Sequence, residues 1–122
     1  MPYSTYLKNK LLDTLRNTSF VVVTTYASLH SADPGDTGTS EIAGGSPAYA
    51  RKAVTWNPAA AGTMDSSNAP VFDVPAGTTV THVGLWDAVT AGNFLGSADP
   101  ADEVYAAQGT YTLSDADLDL NA

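Results

Sequence analysis

The spacing of apolar residues near the start of the chain predicts one helix. Ser4 is a typical N-cap residue. Four leucines after it recur at helical spacing: Leu7, Leu11, Leu12 and Leu15. We therefore predict a helix over residues 4–17. Most amphipathic helices pack on their own core, and the alternative is that the stripe formed by Leu7, Leu11 and Leu15 docks on a neighbouring subunit.

The remainder of the chain has the pattern of short strands separated by glycine- and proline-rich turns. We predict seven strands, over residues 20–30, 48–56, 70–74, 80–88, 93–98, 103–107 and 109–120. This pattern is typical of an all-β fold. We predict a single β-sandwich domain over residues 1–122, of the jelly-roll or immunoglobulin-like kind, with the helix at its start. Residues 31–47 form a long loop, and loops of this length are often functional or mobile.

Charge and composition exclude several classes of protein. The 122 residues include thirteen carboxylates against five lysines and arginines, which gives a formal net charge of −8. Nucleic acids and anionic membranes attract basic surfaces, so we expect neither as a partner. The chain has no cysteine, and no apolar run in it is long enough to span a membrane. We expect the protein to fold in a cytoplasm and to leave it by lysis or assembly.

The sequence contains no recognisable catalytic or cofactor motif. No serine lies in a G-x-S-x-G turn, and the phosphate-binding and dinucleotide-binding fingerprints are absent. His82 lies in the middle of a predicted strand, where we expect a histidine that is hydrogen-bonded within the sheet. We predict no enzyme, no cofactor and no metal site.

The acidic end of the chain is the segment in which metal binding needs the closest test. Asp115, Asp117 and Asp119 alternate with apolar residues, so a strand would place the three carboxylates on one face. We favour an exposed acidic face as the interpretation. A calcium ion that bridges two subunits at this face is the alternative.

Four segments, taken together, resemble a known family. In chain order they are YLKNKLLDTL, YASLHSADPGDTGTSEIAGG, SPAYARKAVTW and VTHVGLWDAVTAGNFLGSADP, and the resemblance spans about residues 6–113. These segments resemble small bacteriophage tail fibre or minor tail proteins, especially those of phages of actinobacteria. The resemblance implies a non-enzymatic virion protein that is assembled in the host cytoplasm. It also implies contacts with other virion proteins and a homo-oligomer, with a trimer favoured and a host-surface glycan as a further candidate partner.

Arg51 and Lys52 are adjacent cations in a predicted strand, and they have different expected roles. Residues 53–122 contain no lysine or arginine at all. Adjacent strand residues point to opposite faces, so Arg51 shares its face with Tyr49 and not with Lys52. The resemblance runs through the Tyr-Ala-Arg sequence. We expect Lys52 to be a solvated surface charge.

We expect Arg51 to be a structural anchor. Its predicted partner is a strand carboxylate, Asp87 or Asp73, and its stem is predicted to lie against Trp86. A planar guanidinium suits a bidentate contact with a carboxylate better than an ammonium group does.

Two other functions fit the same features. A capsid decoration protein would have the same kind of fold but would be bound to the phage head, and the sequence does not distinguish head from tail. A carbohydrate-binding module would use Trp56 and Trp86 as stacking platforms. The alternation of residues places each tryptophan with a valine on an apolar face. This placement disfavours the carbohydrate-binding function.

Overall fold

A computed structural model describes residues 2–121 of the chain, and it contains one helix among them. This helix, α1, spans Thr5–Thr14. Ser4 caps it as predicted, because its Oγ accepts a hydrogen bond from the backbone N–H of Leu7 at 3.1 Å. The helix ends earlier than predicted, and Asn17 adopts a left-handed conformation with a φ of 62° shortly afterwards. Within this part of the chain, no helix is long and apolar enough to cross a membrane.

Strands account for most of the regular structure. After α1, the described residues form ten strands: β1 (Thr25–His30), β2 (Lys52–Val54), β3 (Thr63–Asp65), β4 (Val71–Val74), β5 (Thr78–Val80), β6 (His82–Trp86), β7 (Phe94–Ala98), β8 (Glu103–Tyr105), β9 (Gly109–Thr112) and β10 (Asp117–Asp119). Four of them form an antiparallel sheet in the order β2-β1-β6-β7, called the main sheet below. The others form two-stranded ribbons, β3 with β10, β4 with β9 and β5 with β8. The prediction of an all-β fold with a short N-terminal helix is confirmed.

The hydrophobic core lies on one face of the main sheet. Alternate residues of the central strands β1 and β6 belong to it: Ala27, Leu29, Val83 and Leu85. The ribbons contribute buried side chains to the same core: Phe72, Val74, Val80 and Tyr111. Burial of side chains of this size stabilises a fold by about 1.5–3 kcal/mol each. Because the ribbons are not hydrogen-bonded to one another in a common sheet, they pack over this face as separate pairs of strands.

Two of the predicted strands are divided in the structure, because their halves have different partners. Residues 80–88 contain the end of β5, which pairs with β8, and all of β6, which pairs with β1 and β7. Residues 109–120 contain β9, which pairs with β4, and β10, which pairs with β3. A change of partner leaves no signal in the apolar periodicity, so the sequence pattern merges the two halves.

Two other predicted strands are longer than those in the structure. Residues 20–30 read as one strand, but the ladder begins only at Thr25, where Thr25 pairs with Val54 of β2. Of residues 48–56, only β2 lies in a ladder, and Trp56 adds an isolated bridge to Ser66.

The long loop after β1 covers the second face of the main sheet. Its backbone turns back along β1, and the N–H of Ile42 donates to the carbonyl of Leu29 at 3.0 Å. Pro34, near the start of the loop, is fully buried. The loop therefore encloses this face of the sheet, and the cluster described next lies beneath it.

Candidate functional site

Arg51 lies at the centre of a hydrogen-bonded cluster between the main sheet and its covering loop. Its guanidinium contacts the carboxylate of Glu41 through two atoms: Nη2 lies 2.9 Å from Oε1, and Nε lies 3.0 Å from Oε2. Nη1 donates to the carbonyls of Ala88 at 3.0 Å and Ala91 at 2.8 Å. The Arg51 side chain is only 8% exposed, and charge-assisted hydrogen bonds are stronger in such surroundings. One side chain thus joins the segment before β2, the loop after β1 and the turn after β6.

Trp86 forms the floor beneath this guanidinium. The central carbon of the Arg51 guanidinium lies 3.8 Å from the centre of the Trp86 ring. The predicted contact between the two residues is present, although the charged head and not only the stem lies over the ring. A cation at this distance from an indole face is attracted by the electron density of the ring, which adds about 0.5–2 kcal/mol to the packing.

The carboxylate partner of Arg51 differs from the prediction. We expected Asp87 or Asp73, but the partner is Glu41 in the loop after β1. Asp87 closes the turn after β6 instead, because its Oδ1 accepts a hydrogen bond from the N–H of Asn93 at 2.7 Å. The prediction considered carboxylates within strands only. It did not foresee that the loop folds back along β1 and brings Glu41 to the guanidinium.

Tyr49 shares the carboxylate of Glu41 with Arg51, as the alternation of the predicted strand implies, although both residues precede β2. Its hydroxyl donates to Oε2 of Glu41 at 2.7 Å and accepts from the N–H of Leu29 at 3.0 Å. Burial and the hydrogen bond to Glu41 raise the pKa of Tyr49, so this hydroxyl stays protonated. Burial alone would raise the pKa of Glu41 as well, but the hydrogen bonds from Arg51 and Tyr49 and the charge of Arg51 outweigh it and hold that pKa below its usual value.

A second hydrogen-bonded chain runs beside Trp86. Trp86 Nε1 donates to Oγ of Ser28 at 2.9 Å, and this Oγ lies 2.6 Å from Nε2 of His30. The Nδ1 atom of His30 lies 2.8 Å from the carbonyl oxygen of Thr39. A carbonyl only accepts, so Nδ1 carries the proton of a neutral ring and Nε2 accepts from the Ser28 hydroxyl. Burial lowers the pKa of His30, which keeps this ring neutral.

The Ser28–His30 pair does not have the environment of a catalytic nucleophile. Ser28 and His30 are both completely buried, so a substrate has no access to the hydroxyl. The hydrogen-bond partner of His30 Nδ1 is the carbonyl of Thr39 and not a carboxylate that would stabilise an imidazolium. His82, the other histidine, lies in β6 with its Nδ1 2.8 Å from Oγ1 of Thr81. The cluster is therefore a packed polar core beneath the loop.

Gly38 determines how closely the covering loop approaches the sheet. A Cβ atom at this position would lie 2.4 Å from Cζ2 of Trp86 and 2.7 Å from Cδ1 of Phe94. Gly38 also has a φ of 81°, a conformation that residues with a side chain rarely adopt. The loop packs on the indole because this position has no side chain.

An apolar groove lies on the opposite side of the main sheet, between α1 and the ribbon of β3 and β10. Its volume is about 490 Å³. Apolar side chains from both elements line it, among them Leu7, Leu11, Met64 and Leu118. Tyr3 links the two sides, because its hydroxyl donates to the carbonyl of Asp119 at 2.7 Å and accepts from the N–H of the same residue at 2.8 Å.

The predicted interface leucines divide between two surfaces. Leu7 and Leu11 line the groove, whereas Leu15 follows the end of α1 and is 86% exposed. Leu12 is also exposed. No residue of α1 within the described chain is fully buried. The helix therefore rests on the domain with one side and presents apolar side chains outward with another; its role as an interface stays a prediction.

The acidic strand β10 places its charged side chains as the alternation predicts. Asp117 and Asp119 are exposed, and Leu118 between them faces the groove. Asp117 lies directly opposite Asp65 of β3. A hydrogen bond with Asp65, with smaller effects of burial and of the charges of Asp115 and Asp65, raises the pKa of Asp117 to about 6. No group of three or more metal-ligating side chains in residues 2–121 has the arrangement of a metal site.

Sequence reasoning missed three residues of the buried cluster. Glu41 carried no signal, because its role depends on how a long loop folds. Ser28 and His30 are two residues apart in β1, and this spacing places both side chains on one face of the strand. The period-two spacing could therefore have predicted that the side chains of Ser28 and His30 lie close together. It could not have predicted the partner Thr39, which lies in the loop after β1.

Comparison with known proteins adds one family. The family model described as podophage GP4 fiber I protein gp80 matches residues 2–119. No curated protein gives a significant match. The matched residues contain α1 and every strand from β1 to β10.

Proposed function

The chain belongs to the podophage GP4 fiber I protein gp80 family, and from this membership we propose that it is a structural component of the phage tail fibre with no enzymatic role. The observation that carries the proposal is the extent of the match, which covers the whole fold and not a short motif. This family also confirms the resemblance to phage tail fibre proteins that the sequence segments indicate.

The chemistry of the cluster supports a structural role. Arg51, Glu41 and Tyr49 satisfy one another's hydrogen-bonding groups, and Ser28 and His30 are inaccessible. Among residues 2–121, no buried side-chain nitrogen or oxygen lacks a hydrogen-bond partner. A polar core of this kind fixes one arrangement of loops, as a protein that acts through its shape requires.

We propose further that the chain acts as a single domain and as a homo-oligomer, with a trimer favoured, in contact with other virion proteins. Several large apolar side chains remain exposed, and the most exposed of them are Leu15 and Val23. Side chains of this kind favour association once copies are held together in a particle. Sedimentation equilibrium of the purified chain gives the number of copies.

The experiment that tests the tail fibre role is localisation on intact particles. We expect an antibody against the chain, detected by gold in electron micrographs, to label the fibres of purified phage. Label on the head would assign the chain to capsid decoration instead. Particles without label, and without peptides of the chain in mass spectra, would exclude a virion role.

A carbohydrate-binding function has less support. Trp86 is buried beneath Arg51, and Trp56 is half-buried with its Nε1 donating to Oγ1 of Thr25 at 2.7 Å. Trp86 presents no free, exposed face on which a sugar could stack, and Trp56 is only partly exposed where it lines the apolar groove. A glycan array would give no binding above background if the tail fibre role is structural alone.

A further inference from the structure

The segment between α1 and β1 has a strand-favouring sequence but lies in no ladder, and its backbone bends at Val23. Residues 20–23, called the extended segment below, alternate in burial: Phe20 and Val22 are half-buried, and Val21 and Val23 are exposed. Phe20 packs edge-on against Tyr6, with ring centres 6.3 Å apart, and Val22 lines the apolar groove. The backbone groups of the extended segment make no hydrogen bond to any other residue in the range 2–121.

Free backbone groups on a strand-like segment are a site for another strand. β-branched residues such as valine favour the extended conformation, and three valines in succession occupy residues 21–23. A strand whose N–H and C=O groups are unpaired accepts a strand from another chain unless charge, proline or a covering element prevents it. The extended segment contains neither proline nor a charged residue.

Exposed apolar side chains are concentrated around this segment. Of the nine large apolar side chains that are exposed in the described chain, six lie on α1, on the connection to β1 or at the end of β10: Leu11, Leu12, Leu15, Val21, Val23 and Leu120. Val21 is 77% exposed and Val23 is 93% exposed. Exposed apolar side chains that are concentrated in one region of the chain favour association with another surface.

Charge indicates what binds there. Residues 1–24 carry three cations, Lys8, Lys10 and Arg16, and one carboxylate, whereas residues 25–122 carry two cations and twelve carboxylates. Arg51 is already paired with Glu41, and Arg16 lies 4.0 Å from Asp13 in an exposed pair, so Lys8 and Lys10 are the N-terminal cations that lie in no ion pair within the described chain. The start of the chain is therefore basic and the rest is strongly acidic, so the body of one copy attracts the N-terminal region of another.

We propose that α1 and the extended segment together form a docking surface for the acidic body of a second copy of this chain, with the extended segment adding as a strand. This inference rests on the proposed role as a virion component present in several copies. The exposed valines and leucines exclude water at the contact, the unpaired backbone groups supply hydrogen bonds, and Lys8, Lys10 and Arg16 face carboxylates of the neighbour.

The two surfaces in this contact are different, which determines the type of assembly. A basic, apolar surface that meets an acidic one gives a head-to-tail contact. Head-to-tail contacts close into rings when the rotation between copies permits. A trimer is the smallest ring beyond a pair, so the surface is compatible with the favoured number of copies.

The test compares two substitutions of equally exposed valines in the full chain. Val21 and Val104 are each 77% exposed, but Val104 lies on β8, outside the proposed surface. In sedimentation velocity, we expect wild type to form an oligomer, and Val21→Glu to weaken association by about tenfold or more through carboxylate repulsion and lost apolar contact. Val104→Glu should associate as wild type does. Equal effects of the two substitutions would overturn the proposal.

Backbone pairing has its own measurement. In hydrogen exchange, we expect the amides of residues 20–23 to be protected in the wild-type oligomer and to exchange freely in the Val21→Glu monomer. Val23→Pro, which removes one N–H that has no partner within the described chain, should also weaken association while the melting temperature stays near that of wild type. Free exchange in the oligomer would rule out strand addition.

The outcome also separates this inference from the proposed function. If fibres contain the protein but the purified chain is monomeric at high concentration, the surface binds another virion component and our inference is wrong, while the tail fibre role stands. If the chain associates through Val21 but particles lack it, the inference stands and the tail fibre role is wrong. Association that weakens as salt rises would support the charge argument, and association that is independent of salt would contradict it.

Discussion

The guanidinium of Arg51 and the carboxylate of Glu41 form an ion pair with a 2.9 Å contact between Nη2 and Oε1, beneath the loop that covers the main sheet. Arg51 belongs to the segment before β2, and Glu41 belongs to the loop after β1, so the pair holds two parts of the chain together. The additional bonds to the carbonyls of Ala88 and Ala91 extend this link to the turn after β6. Removal of either partner would leave a largely buried charge without compensation.

Replacement of Arg51 by lysine should destabilise the protein. An ammonium group cannot contact both oxygens of Glu41 and both carbonyls at once, because it lacks the planar fork of donors. We expect a loss of about 2–3 kcal/mol in the free energy of unfolding, which lowers the melting temperature by roughly 10 °C in a chain of this size. Lys52→Gln is the matched control and should change the melting temperature by less than about 2 °C. An equal or larger effect at Lys52 would contradict the anchor role of Arg51.

Replacement of Gly38 by alanine should displace the covering loop. Gly35 and Gly38 both have positive φ, at 63° and 81°, so alanine at either position costs about 1 kcal/mol of backbone strain. Only at Gly38 would the new Cβ collide with Trp86. We therefore expect Gly35→Ala to lower the melting temperature by about 4 °C and Gly38→Ala by at least twice that amount. Thermal unfolding followed by tryptophan fluorescence measures both, and similar shifts would show that the loop adjusts without cost.

The titration of His30 should show whether the buried hydrogen bonds from His30 to Ser28 and Thr39 are present. Burial holds the pKa of His30 below its ordinary value of 6.5. Between that lowered pKa and about pH 6.5, the unfolded state therefore binds a proton that the folded state does not bind. The contribution of His30 to stability is therefore present above about pH 6.5 and is lost as the pH falls below it. We expect nitrogen NMR shifts to show a neutral ring with its proton on Nδ1 and a midpoint below 6.5. A midpoint at or above 6.5 would mean that the ring is accessible to water.

The residues that could be predicted from the sequence are those whose role depends on local spacing. The four leucines and Ser4 predicted the helix, and alternation placed Tyr49 and Arg51 on one face and Asp117 and Asp119 on another. Each of these relationships is set by neighbours a few residues away.

The residues that could not be predicted depend on how distant segments meet. Glu41 reaches Arg51 because the loop after β1 folds back, and that path depends on the burial of Pro34 and the missing side chain of Gly38. The extended segment was predicted as part of β1 because valines favour strands wherever they occur. Propensity reports the conformation of a segment but not whether a partner strand lies beside it.

Two carboxylates face each other across the ribbon formed by β3 and β10. Asp117 lies directly opposite Asp65, where like charges destabilise an antiparallel pair. The hydrogen bond with Asp65 raises the pKa of Asp117 from 3.8 to about 6, so the folded state binds a proton that the unfolded state has released between these values. Stability therefore falls as the pH rises from about 4 to 6 and stays lower above that range.

Asparagine at position 117 mimics the protonated acid and should remove this penalty. We expect Asp117→Asn to raise the melting temperature by about 2 °C at pH 7.5 and by much less at pH 4.5, where the wild-type carboxyl is already protonated. Asp102→Asn is the matched control, because it removes the same formal charge from an exposed position outside the ribbon. If both substitutions stabilise the protein equally at pH 7.5, the effect arises from net charge and not from the Asp65–Asp117 pair. A gain for Asp117→Asn that is the same at both pH values would show that the carboxyl titrates at its ordinary pKa.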